Sequence, residues 1–174
     1  MDQLFNISLK KVPDFVFEGS FFILCIIVVM AFLFTRNWVM LRKVVLGSML
    51  VEYVFLVLCT TVLFRETQAE ANYMLNPFWS YAAYLDGKKI LLDEILLNVL
   101  LFIPIGLIVS SFGWFQKWWK VLLFGFALSS GIELLQYVLL RGLCEVDDVI
   151  HNTLGSIIGF TIYNRMMRLK QSLK

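Results

Sequence analysis

The stretch I132-E133-L-L-Q136-Y-V-L-L-R141-G-L-C144-E145-V-D147-D148-V-I-H151-N152-T-L-G155-S-I-I-G159 sets Glu133, Gln136, Arg141, Asp147, Asp148, His151 and Asn152 inside or beside segments otherwise built for lipid. An ionisable group at membrane depth costs roughly 2.5–3.5 kcal/mol on insertion scales, so it normally faces a partner or a wet cavity. So many in one place point to a site.

The rest of the chain agrees with a lipid setting. Across 174 residues, 60% are hydrophobic and 16% charged, outside the range of a soluble globule. We read one domain, residues 1–174, an all-α polytopic membrane protein with five transmembrane helices in a compact bundle. A net charge of +2, with no basic run, excludes nucleic acid as a partner. Cys25, Cys59 and Cys144 form no spaced framework, so neither a structural disulfide nor a metal cluster is expected. The residues suggest no cofactor.

Residues 1–14, with Pro13, read as a short interfacial segment. The apolar run that follows has Asp14 and Glu18 before it and Arg36 after it, the reverse of a cleavable signal, so it should stay in the mature chain. About 20 helical residues cross the ~30 Å hydrocarbon layer. Spans are expected at about 15–34, 44–64, 90–112, 121–140 and 149–167. Between them lie a basic turn at 35–43, a polar connection at 65–89 with Asn76-Pro77-Phe78-Trp79, a Trp-rich turn at 113–120 and a short loop at 141–148. Pro104 should kink the third span. Glu52 stands alone in the second, where a protonated or paired structural role is expected.

Positive charge orients the bundle. The segments 35–43, 113–120 and the tail from 165 hold nine Lys and Arg; the opposite set holds six over many more residues. The denser set should be cytoplasmic, with the amino terminus outside and the carboxyl terminus inside. Asn98 then lies eight residues, about 12 Å, below the outer end of its helix, and Glu133 seven residues, about 10 Å, below Leu140. Their depths match. Residues three or four apart share a helix face, which gives the stripes Glu94–Asn98, Ser129–Glu133–Gln136 and Asp148–Asn152–Gly155–Gly159. Gly155 and Gly159 form a small-xxx-small surface, and Gly125 to Ser129 another, that let helix backbones approach.

Plainer readings stand beside these. Asn98 and Gln136 can be interhelical hydrogen-bonding groups alone. Asp147 and Asp148 can be a solvated first turn favoured by the helix dipole. His151 falls about 100° off the Asp148–Asn152 stripe, which favours an interfacial structural role over that of a base.

Asn76-Pro77-Phe78, Asn98-V-L-L-F-I-Pro104-I-Gly106, Ser130-x-x-Glu133-x-x-Gln136, Arg141 and Asp147-Asp148-x-x-x-Asn152-T-L-Gly155-x-x-x-Gly159 together resemble the VanZ-like family over about residues 76–159. The resemblance implies a protein of the bacterial cytoplasmic membrane and, as in the founding member, low-level resistance to teicoplanin, a glycopeptide antibiotic with a lipid tail. By position Asn98, Glu133, Gln136, Arg141, Asp148 and Asn152 match its polar signature. The family often has an Asp shortly before its Asp pair; Glu145 stands near that place here.

Two functions compete. In the first, an outer-leaflet pocket with Asn98, Gln136, Arg141, Asp147 and Asn152 as ligand-binding residues engages a membrane lipid, a lipid-linked envelope molecule or a lipoglycopeptide. In the second, an intramembrane enzyme modifies an envelope lipid or peptide, with Glu133 and Asp148 as catalytic acid–base candidates and Arg141 as the anion clamp. No paired-His motif, Gly-x-Ser-x-Gly or Cys with a clear base supplies a nucleophile. A transporter is disfavoured because five helices give no internal repeat, although an oligomer would restore symmetry. The binding reading is preferred.

Overall fold

The computed structural model describes residues 12–173. Most of the interfacial segment read at 1–14 therefore lies outside the described residues. Five long helices follow: α1 (Asp14–Phe34), α2 (Trp38–Leu58), α4 (Ile90–Ser110), α5 (Trp118–Val138) and α6 (Val146–Ser172), with a short α3 (Trp79–Leu85) between α2 and α4. A π turn, Cys59–Leu63, prolongs α2. Four stretches are long and apolar enough to cross a membrane: Asp14–Phe34, Trp38–Leu63, Ile90–Ser110 and Trp118–Val138. The chain is a multi-pass membrane protein. At 27 residues α6 is about 40 Å long, but it spends its composition on polar and small residues because it packs against α4 and α5.

Several boundaries differ from the sequence reading. The basic turn expected at 35–43 shrinks to residues 35–37, because Asn37 Oδ1 accepts from the Val39 and Met40 amides at 2.9 and 3.3 Å and starts α2 early. Arg42 and Lys43 thus sit in the first turns of a spanning helix, where long cationic side chains can reach the interface. The connection 65–89 is also more ordered than expected. It contains α3 and a strand, β1 (Asn72–Met74), that pairs in parallel with β2 (Leu143–Glu145), Tyr73 facing Cys144 in register.

Packing grades from lipid to core. On α1 only Ser20 is buried, and Phe21, Phe22, Phe32 and Phe34 are exposed, as a helix turned to acyl chains requires. The apolar core gathers Val57, Val62, Phe102, Ile105, Val109, Val121 and Ile132 from α2, the π turn, α4 and α5. Tyr53 donates to the Leu101 carbonyl at 3.0 Å, one helical turn before Pro104.

The tightest contact is between α4 and α6. A Cβ on Gly155 would collide with the Val99 carbonyl, one on Gly159 with the Ile103 carbonyl, and one on Gly106 with the Ser156 carbonyl. Gly125 of α5 likewise lies on the Ser156 side chain. The small-xxx-small surface therefore presses α6 onto α4, backbone to backbone. Gly159→Ala should lower stability by roughly 1–3 kcal/mol through overpacking, whereas Gly47→Ala, with nothing within 4 Å of the added methyl, should not. Thermal unfolding of the purified variants in detergent checks this.

Candidate functional site

The start of α4, the end of α5 and the start of α6 lie at one end of the bundle, beneath β1, β2 and α3. The close α4–α6 packing sets the register there. Asn98 Nδ2 donates to Asp148 Oδ1 at 2.6 Å. One turn deeper, Asn152 Nδ2 donates to Ser129 Oγ at 2.8 Å, joining α6 to α5. Ser129 lies one turn below Glu133, so the Asn152–Ser129 bond forms a floor under Glu133 and Asp148. Both carboxylates interact electrostatically across that floor.

The two adjacent aspartates have different surroundings. Asp147 is 1% exposed and accepts from the Phe78 amide at 2.5 Å, the Ser80 amide at 3.0 Å and the Ser80 hydroxyl at 2.5 Å. It satisfies the free N–H groups that open α3. It also holds Phe78 in the left-handed region, φ 64, which costs a non-glycine residue about 1–2 kcal/mol. Asp147 is thus bonded throughout to the turn Phe78–Ser80 that opens α3, whereas Asp148 faces the neighbouring carboxylates.

Glu145 links the layers. Its carboxylate accepts from Trp79 Nε1 at 3.0 Å, and its backbone N–H donates to Glu133 Oε2 at 2.9 Å. Burial pushes the Glu145 carboxyl up to about 7; the Trp79 bond works against this, Glu94 and Asp147 add to it, and Arg65 opposes it. Burial, then the Glu133, Glu145 and Asp148 carboxylates, raise the Cys144 thiol above its ordinary value, which disfavours the thiolate.

Arg65 is the cation at this end. Its guanidinium rests on Gly142, whose φ of 101 and missing Cβ make room for it. It acts electrostatically on Glu94, Glu133, Glu145 and Asp148 together. Arg141 points elsewhere, donating to the Val62 and Leu63 carbonyls of the π turn. Gln136 joins it there through a 3.1 Å bond from Nε2 to the Thr61 carbonyl. His151 is buried at 1% exposure, with Nε2 2.9 Å from the Tyr81 hydroxyl.

Of the residues singled out in the sequence, Asn98, Glu133, Asp148 and Asn152 come together, Asp147 ties the loop above them, and Gln136 and Arg141 brace the end of α2. Arg65, Glu94 and Glu145 complete the cluster. The signal for Arg65 was its place as the first charge after the second span, and for Glu145 its place before the Asp pair. Among the described residues no group of His, Cys, Asp and Glu has the geometry of a metal site.

These features define a helical membrane protein with an acidic, partly buried cluster at one end. The family model for VanZ/LLP1 matches residues 17–168, so the chain belongs to that family. Among curated proteins, Protein VanZ of Enterococcus faecium is 33% identical over 85 residues, covering 45% of this chain and 50% of that protein. The chain thus spans about half the length of this relative. No solved structure matches.

A carboxyl raised on folding binds its proton more tightly in the native state, so its contribution to stability is present at low pH and is lost as pH rises. For Glu145 the window runs from its ordinary value near 4.5 to about 7. The unfolding midpoint should therefore fall between pH 5 and 8 more steeply in the parent than in Glu145→Gln, as measured by thermal unfolding in detergent.

Proposed function

We propose that this protein gives low-level resistance to lipoglycopeptide antibiotics of the teicoplanin type, by engaging a lipid-linked ligand or envelope component in a polar pocket of the outer leaflet. One observation carries the reading: hydrogen bonds tie Asp148 to Asn98, Glu133 to the Glu145 N–H and Glu145 to Trp79 at one end of an apolar bundle, with Arg65 seated on Gly142 beside them. Such a group of charges is costly beside hydrocarbon and marks a functional site where it gathers. Membership of the VanZ/LLP1 family and the likeness to Protein VanZ support the phenotype.

In this reading α6 is the fifth crossing, the amino terminus lies outside, the carboxyl terminus lies in the cytoplasm, and the acidic end faces out. The exposed Glu70 gives a direct test. In a background with Cys25, Cys59 and Cys144 replaced by Ser, Glu70→Cys should react with a membrane-impermeant maleimide on intact cells. Ser172→Cys should react only after lysis. The opposite pattern would invert the assignment.

The electrostatic coupling of Glu133 to Asp148 favours acid–base chemistry on an envelope lipid or peptide as a second reading. Glu133→Gln separates the two, since the amide oxygen can still accept from the Glu145 N–H. Binding predicts partial loss, a catalytic acid or base near-complete loss, and Asp148→Asn loss in both. The readout is the inhibitory concentration of teicoplanin in a susceptible host expressing each variant; if neither variant changed it, the site would be wrong.

A further inference from the structure

Resting on the binding reading, a narrower conclusion about the ligand follows from what the cluster lacks. Its inner wall presents hydrogen-bond acceptors without donors. Asn152 Oδ1, on a residue 4% exposed, has no partner, its amide nitrogen being spent on Ser129. It sits one turn beneath Asp148 on the same face of α6. The second oxygens of Glu133 and Asp148 accept no hydrogen bond among the described residues, and neither does the Glu94 carboxylate, one turn above Asn98 on α4. Asn98, the donor on that face, is already given to Asp148.

An orphaned buried acceptor costs about 1–3 kcal/mol, and carboxylates with one donor each remain only partly compensated. A ligand that offsets both must bring several N–H donors and a positive charge. A primary ammonium has three donors on one centre; a quaternary ammonium has the charge and none of the donors. At the rim, the exposed Arg65 guanidinium rests on Gly142 and is an anion site of the opposite sign. Around this end Tyr73, Leu75, Phe78 and Tyr81 are exposed, an apolar collar of the kind that lies among acyl chains near a headgroup.

We propose that the site takes a zwitterionic amphiphile headgroup, its primary ammonium seated among Glu133, Asp148 and Asn152 and its phosphate or carboxylate on Arg65.

The test uses the full-length protein in detergent with three dihexanoyl lipids that differ only in headgroup: phosphatidylethanolamine, phosphatidylcholine and phosphatidylglycerol. Binding is read by thermophoresis, and soluble phosphoethanolamine is a fourth probe that separates a lipid-borne headgroup from a free one. Phosphatidylethanolamine should bind at least tenfold more tightly than either of the other lipids and more tightly than phosphoethanolamine. Asp148→Asn should remove the preference over phosphatidylcholine. Arg65→Gln, at an exposed position, should weaken both phosphatidylethanolamine and phosphatidylcholine and keep that preference. Equal affinity for the three lipids in the parent protein would overturn the proposal whatever the variants do, as would retained preference in a folded Asp148→Asn. Equal affinity alongside loss of resistance in Asp148→Asn would remove the ammonium while leaving the resistance reading intact. The converse result would remove the resistance reading alone.

Discussion

A carboxylate near hydrocarbon must be given donors, a counter-charge or a proton, because the low-dielectric surroundings penalise the bare ion by several kcal/mol. The outer architecture of this bundle follows from how that requirement is divided. Asp147 receives three donors from one loop. Glu133 receives a backbone N–H, Glu145 an indole and Asp148 a carboxamide. Arg65 supplies positive charge to Glu94, Glu133, Glu145 and Asp148 at once.

Those bonds require close backbones, and the glycines provide them. With Gly155 and Gly159 against the carbonyls of Val99 and Ile103, α6 sits on α4 without intervening side chains. Asn98 can then reach Asp148. The same helix meets α5 through Gly125, Ser129, Asn152 and Ser156, so all three polar stripes face one interior. A bulkier seam would separate the stripes and leave each carboxylate to find its own donor. Hence packing at depth and electrostatics at the end are one device.

The loop above the cluster is ordered for the same reason. Its left-handed Phe78 and its short helix gain their hydrogen-bond partners from Asp147, and β1 finds a partner in β2. A segment that by composition is only polar and aromatic is thereby ordered above the cluster. At the end of α2, Gln136 and Arg141 donate to carbonyls of the π turn. Polar residues of one signature thus divide between bracing the scaffold and facing the cluster.

The sequence by itself determined the membrane class, the places of the long helices and the polar stripes, because hydropathy, length and the 3.6-residue period are local properties of a chain. The family's order of residues was legible for the same reason. Only the tertiary structure decided which carboxylate meets which donor. Asp147 and Asp148 are neighbours in sequence, yet 100° of helical rotation sends one to the loop and the other to the cluster. Arg141, read from the sequence as an anion clamp, bonds carbonyls of the π turn, and Arg65 rests on Gly142 near the cluster, since a cation's partner depends on which turn and which glycine lie beside it. The three-residue strands and the early start of α2 were equally beyond hydropathy, for a cap and a backbone ladder register in hydrogen bonds that no window average records.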